Sequence, residues 1–310
     1  MTIFKVAVLP RPEAEYQAAV VAGGGEVASL GPQVSGLIWT DSQEVAALAE
    51  ILRAHEQIRW VQLPFAGVDN FRSVFDEANS RKRAITFTSA KGAYREPVAE
   101  HALMLALALA RALPERLSAS TWGRKFAATL FDSNVLIVGG GGIAEELVRL
   151  LTPFRPEISV VRREAREMIG VTRVSNLDDL DQLLTTADFV FSTSALTEET
   201  RGLFNNRRFG LMKTSAYFIN IARGAIVNTA DLEAALRNNL IAGAGIDVTD
   251  PEPLPDGHSL WEAPNLIITP HTADTPEMCV ELLSKRIVEN VRRILAGESL
   301  EGEVNLKLGY

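Results

Sequence analysis

Residues 135–147, VLIVGGGGIAEEL, set a glycine run behind an apolar run and ahead of a helical pattern. A flexible linker is one use of such a run, and an anion-binding turn is another. A linker is not fused to an apolar strand on one side and an amphipathic helix on the other, so the context favours the turn. Read as Gly139-x-Gly141-x-x-Ala144, the run is a dinucleotide-binding fingerprint with alanine in third place. Gly139 permits the tight turn, Gly141 keeps a Cβ away from a pyrophosphate, and Ala144 lets the helix pack closely on its sheet. The helix start then offers unpaired N–H groups and the positive end of the helix dipole to the phosphates.

The next strand ends VVRRE, residues 160–164. An acidic residue at such a strand end would bind a ribose 2′-hydroxyl, whereas arginine accommodates a 2′-phosphate. Arg162 and Arg163 stand there, with no acid before Glu164. Two guanidiniums suit a phosphate dianion. The expected cofactor is NADP(H), with NAD(H) as the alternative.

The bulk numbers frame these motifs. At 310 residues the chain suggests two domains. With 47% hydrophobic and 23% charged residues it can bury a sizeable core. A net charge of −8 without a Lys/Arg-rich run argues against nucleic acid as a partner. The single cysteine, Cys279, allows no intrachain disulfide, and no Cys/His cluster suggests a metal site. The most apolar stretch, residues 101–113, is too short to span a bilayer and carries Arg111. The N-terminal MTIFKVAVLP lacks the pattern of a signal peptide, so the expected location is the cytoplasm.

Strand candidates at 4–10, 36–40, 58–65 and 84–90 alternate with helices, one of them spanning 42–55 from a capping residue. A long helix over 96–117 interrupts the alternation. Six more strands follow at 134–139, 157–162, 188–193, 216–221, 242–247 and 266–270. A final helix over 277–298 packs back on the first domain. The expected fold class is α/β, with two doubly wound parallel-sheet domains and a cleft between them. The boundaries are drawn at 1–95 plus 286–310 for a flavodoxin-like substrate domain and 96–285 for a Rossmann cofactor domain.

Several segments together resemble the D-isomer-specific 2-hydroxyacid dehydrogenases, above all their glyoxylate/hydroxypyruvate reductase branch. They are FAGVDN (65–70), EPVAEHALMLALALAR (96–111), VGGGGIAEEL (138–147), LTEETRGLF (196–204), FINIARGAIV (218–227), AGAGIDVTDPEPLP (242–255) and PNLIITPHTA (264–273). The resemblance implies hydride transfer between NAD(P)H and a small 2-keto or 2-hydroxy acid, in a homodimer with no membrane role. It places the catalytic residues on Arg223, Glu252 and His271. Their chemistry agrees with those roles. Arginine can hold a carboxylate in two bonds and polarise the adjacent carbonyl. Imidazole exchanges a proton near neutral pH, and a carboxylate on its other nitrogen would fix the tautomer and favour the charged ring. Each also has a plain structural use: a surface ion pair for Arg223, a proline-rich turn for Glu252 and a strand cap for His271.

The resemblance also implies cofactor contacts at Gly139, Gly140, Gly141, Gly142, Ile143, Arg162, Arg163, Ser194, Ile221 and Ala222, and a nicotinamide carboxamide contact at Asp247. Backbone N–H groups of Ala66, Gly67 and Val68 would bind the substrate carboxylate. The chain departs from the family pattern at Ala144, at Ser194-Ala195, where a proline often stands, and at Asn228, where an aspartate is common. Of the other histidines, His55 ends a helix, His101 is packed or capping on the long helix, and His258 lies in a loop. Two alternatives share the fold: a D-3-phosphoglycerate dehydrogenase-like enzyme and a nucleotide-sensing corepressor.

Overall fold

Runs of two to five mostly apolar residues form the strands, and most are followed by a helix. The computed structural model describes residues 4–306. The chain divides into two compact units, one reaching Tyr94 and resuming at Thr275, the other spanning Arg95–Asp274.

The smaller unit begins with β1 (Lys5–Leu9), α1 (Ala14–Ala22), β2 (Glu26–Val27), β3 (Gly36–Trp39), α2 (Val45–Ala54), β4 (Trp60–Gln62), α3 (Arg72–Ser80) and β5 (Thr86–Thr88). Its strands pair in parallel in the order β2-β1-β3-β4-β5, the flavodoxin-like arrangement. β2 is absent from the sequence reading, because two residues carry no detectable alternation. The helix expected from Ser42 starts at Val45, and Glu44 caps it without a side-chain bond. Trp39, Phe71, Phe75 and Phe87 fill the core of this unit.

The larger unit opens with α4 (Arg95–Ala110) and α5 (Leu113–Ser118). The single helix expected over 96–117 breaks between them, where Ala112 takes a left-handed φ of 53°. Pro114 explains the break, since its ring cannot continue a helix from the preceding turn. Then come β6 (Asn134–Val138), α6 (Gly142–Leu151), β7 (Glu157–Val161), β8 (Arg173–Ser175), α7 (Leu180–Leu184), β9 (Phe189–Ser192), α8 (Asn206–Phe209), β10 (Tyr217–Asn220), α9 (Thr229–Arg237), β11 (Gly243–Ile246) and β12 (Leu266–Ile268). All seven strands are parallel, in the order β12-β11-β10-β9-β6-β7-β8. This is the Rossmann order with one added edge strand. The sequence reading gives six strands because β8 is a short, polar edge segment. Asn228 still caps α9, accepting a bond from the Asp231 N–H at 3.1 Å.

The last helix, α10 (Pro276–Ala296), belongs wholly to the smaller unit and packs on α1. A boundary at 285/286 would cut this continuous helix, so it shifts to Asp274–Thr275. Buried Asn290 donates to Gln62 Oε1 at 3.1 Å, and Val304 N–H donates to Phe87 O at 2.9 Å, which fastens the tail to β4 and β5. Among the described residues no helix is long and apolar enough to cross a membrane.

Candidate active site

Parallel strands put all their carboxyl ends on one sheet edge, and open α/β sheets bind ligands there. In the larger unit the strand order reverses between β6 and β9. Gly139 follows β6, and Ser194 lies two residues past β9. Gly139 has φ 119°, and a Cβ on it would fall 2.6 Å from the Ser194 nitrogen, so only glycine fits. Gly141 differs: among the described residues beyond its chain neighbours, a Cβ there would meet no atom within 4 Å, so none of them requires that glycine. Gly141 caps α6 without a side-chain bond, and Gly142 and Ile143 open the first turn. A Cβ on Gly140 would fall 2.8 Å from Arg162 Cδ, so the Arg162 side chain lies across the turn, with Arg163 exposed next to it in sequence. The Ser194 hydroxyl oxygen is buried and has no hydrogen-bond partner among the described residues.

Arg223 stands three residues past β10. The buried Asn220 at the strand end holds this turn. Its Oδ1 accepts from Ala222 N–H at 3.2 Å and its Nδ2 donates to Arg223 O at 3.0 Å. Ile221 and Ala222 are buried, and Arg223 Nη1 donates to Ala222 O at 2.7 Å. A Cβ on Gly224 would sit 1.8 Å from Thr249 O. The Arg223 turn therefore abuts the turn after β11 that carries Glu252.

His271 and Glu252 meet. His271 Nδ1 donates to Glu252 Oε1 at 2.7 Å, and a longer 3.4 Å contact joins Thr249 N–H to Glu252 Oε2. Both side chains are half-exposed. This bond assigns the proton to Nδ1 and leaves Nε2 facing away from Glu252. His271 has a left-handed φ of 51°, held by its N–H donating to Asp247 O at 2.8 Å and Thr269 O at 3.0 Å.

Asp247, expected as a nicotinamide contact, has both side-chain oxygens bound inside the protein. Oδ1 accepts from Thr269 Oγ1 at 2.5 Å and Thr272 N–H at 2.9 Å, and Oδ2 accepts from Ala273 N–H at 3.0 Å. His101 Nε2 on α4 lies 2.9 Å from Thr269 Oγ1 and 3.4 Å from Asp247 Oδ1. Burial opposes ionisation of Asp247, yet His101, Thr269 and the two N–H groups outweigh it and hold the carboxyl below its usual range. His101, Thr269 and Asn220 went unread as site elements. The available signal was a lone histidine on an otherwise Ala/Leu helix, and packing explains that pattern equally well. Ala66, Gly67 and Val68 lie in the smaller unit, between β4 and a 3-10 turn at Asp69–Phe71, with Val68 buried.

A histidine–carboxylate pair and a dinucleotide-type turn on one Rossmann edge fit a dehydrogenase. Residues 102–273 match the family model for the D-isomer specific 2-hydroxyacid dehydrogenase, NAD binding domain, and the chain belongs to that family of oxidoreductases acting on CH–OH groups. It is 33% identical over 262 residues to the mouse (Mus musculus) glyoxylate reductase/hydroxypyruvate reductase, covering 82% of this chain and 79% of that protein. It is 29% identical over 266 residues to a D-3-phosphoglycerate dehydrogenase of Methanocaldococcus jannaschii, covering 83% of this chain and 49% of that one. The crystal structure of a D-isomer specific 2-hydroxyacid dehydrogenase from Xanthobacter autotrophicus, in complex with NADPH and MES, superposes with a TM-score of 0.83 at 26% identity, covering 99% of this chain and 100% of that chain.

Asp247→Asn keeps the shape but removes the charge and one acceptor oxygen. It should cost about 1–3 kcal/mol at pH 7, the penalty for unpaired buried donors. Because the folded carboxyl lies below its ordinary value of 3.8, this stabilisation is present above that value and disappears as the pH falls through the folded one. Urea unfolding should show the two proteins converging in strong acid. A gap unchanged from pH 7 to pH 3 would refute the linkage.

Proposed function

We propose that this protein is an NADP(H)-preferring reductase of small 2-keto acids of the glyoxylate/hydroxypyruvate type. The observation that carries the reading is the 2.7 Å His271–Glu252 pair at the β12 edge, in the same unit as the fingerprint turn. The open space at Gly141, the unpartnered Ser194 hydroxyl and Arg162 lying over Gly140 fit a dinucleotide in that turn. When bound, that cofactor supplies the hydride. His271 Nε2 donates the proton that the reduced keto oxygen needs, while Glu252 fixes the ring and compensates its charge. Arg223 grips the substrate carboxylate and polarises the carbonyl. Ala66, Gly67 and Val68 are proposed to offer backbone N–H groups to that carboxylate.

Purified protein should oxidise NADPH with glyoxylate or hydroxypyruvate. His271→Ala should lower kcat by at least about a hundredfold, the usual worth of a general acid, with NADPH Kd little changed. Including 3-phosphohydroxypyruvate in the panel separates the phosphoglycerate-type alternative. Failure of the whole panel would defeat the reading, and binding of nucleotide without turnover would point to the corepressor.

The cofactor preference has its own test. Arg162→Ala should lower kcat/KM for NADPH about tenfold or more while sparing NADH, a loss of about 1.4 kcal/mol. Gly141→Ala should weaken both cofactors without lowering Tm, since a Cβ there would meet none of the described residues beyond its chain neighbours. A wild type that prefers NADH would refute the arginine assignment.

A homodimer is also proposed. Leu117, Trp122 and Phe131, close together in sequence after α4, leave apolar surface in solvent, with Trp122 92% exposed. Light scattering after gel filtration should give twice the mass of one chain, and Trp122→Asp should shift it toward the monomer. A wild-type monomer at all concentrations would exclude this.

A further inference from the structure

We propose that His101 is a positioning residue for His271, acting through Thr269 and Asp247. The inference rests on the reading of His271 as the proton donor. The path is continuous: His101 Nε2 to Thr269 Oγ1 at 2.9 Å, Thr269 Oγ1 to Asp247 Oδ1 at 2.5 Å, and Asp247 to the N–H groups of Thr272 and Ala273 at 2.9 and 3.0 Å. His271 sits inside the loop those bonds close, and its own N–H goes to Asp247 O.

The proton inventory fixes the direction of each bond. Asp247 is ionised and accepts only. The single Thr269 hydroxyl proton therefore goes to Asp247, and the Thr269 oxygen is left to accept. His101 Nε2 must then carry a proton, whether its ring is neutral or charged. The imidazole supplies the donor at this place, and a packed apolar side chain would not. Without it, the part-buried Thr269 Oγ1 loses its donor within the protein, and Asp247 loses the imidazole 3.4 Å from Oδ1.

The consequence falls on a strained residue. His271 holds a left-handed backbone that a side chain bearing a Cβ rarely adopts, so the loop must be over-determined to keep it. Its ring nitrogen has to stay within hydrogen-bond reach of Glu252 while Nε2 stays aimed at the substrate. A general acid displaced by a fraction of an ångström loses much of its effect.

Three variants decide the matter. His101→Leu keeps the bulk and removes the donor, His101→Gln places an amide N–H near the Nε2 position, and Thr269→Val removes the bridging hydroxyl. His101→Leu and Thr269→Val should each lower kcat about tenfold or more with KM for NADPH unchanged. His101→Gln should recover most of the loss. The double variant should be no slower than the slower single one, because both break the same path. Equal losses in Leu and Gln, additive losses in the double variant, or wild-type kcat in His101→Leu would each overturn the proposal. If His101→Leu fails to fold, Thr269→Val carries the same tests. The wild type is assayed first. Should it reduce no 2-keto acid, the proton-donor reading fails, and hydrogen–deuterium exchange over residues 269–273 decides the relay separately. Faster exchange in His101→Leu and Thr269→Val, restored in His101→Gln, supports the relay, and unchanged exchange overturns it.

Discussion

The bond between His271 and Glu252 joins two turns that follow neighbouring strands, and it survives only while both turns keep their shape. As a contribution to stability it is small. Both partners are half-exposed, and a solvated ion pair is worth about 0–1 kcal/mol. Its value is geometric, since it selects one tautomer and one ring direction. What holds it lies underneath. The Asp247 carboxylate, 1% exposed, gathers four bonds or contacts from Thr269, Thr272, Ala273 and His101. Removing a carboxylate from water costs several kcal/mol before any partner is found. A buried charge is therefore a poor means of adding stability and a good means of fixing a loop.

The same logic recurs at the neighbouring strand. Asn220 is buried at the end of β10, and its amide binds Ala222 and the Arg223 carbonyl. Gly224 then passes so close to Thr249 that no side chain could stand there. Arg223 and His271, the proposed catalytic groups, thus each rest on a buried polar residue at or just past a strand end. The sheet contributes register: Asn220 pairs with Ile246, the residue before Asp247, so the two anchors stand almost level. The proposed catalytic side chains can then be half-exposed without being loose.

Much of this was legible in the sequence, and what was missed has physical causes. The fingerprint glycines could be read because their requirement is local: a positive φ at Gly139 and an empty flank at Gly141. The alternation of strands and helices gave both sheets, since buried parallel strands are continuous apolar runs. β2 and β8 escaped because edge strands of two or three residues carry no such run. The long helix was read through Arg111-Ala112 because Ala/Leu propensity masked the veto of Pro114 two positions later. His101 and Asp247 lie 146 residues apart, and no local pattern reports a contact made only when α4 crosses β11. The ligand contact expected at Asp247 rests on the family resemblance alone; that both its oxygens are engaged within the protein depends on residues 269–273, which no local pattern ties to it.

Charge poses one further question, because a chain of net charge −8 is proposed to bind a polyanionic cofactor. The net value acts at long range, and physiological salt screens it within about 8 Å. Recognition at contact depends on the first few ångströms. There the turn offers the open N-terminus of α6, the Arg162 side chain over Gly140, and Arg163 next in the chain. Two of the nearby acids are drawn elsewhere: Glu164 pairs with Arg166, and in α6 Glu146 pairs with Arg149 at 2.5 Å. Those pairings reduce the negative field at the turn, where Glu145 in the first turn of α6 still opposes the arginines and the helix end. An acidic surface elsewhere then discourages nucleic acid, whose affinity grows with the number of phosphates neutralised at once, without discouraging a ligand that presents its phosphates at one point.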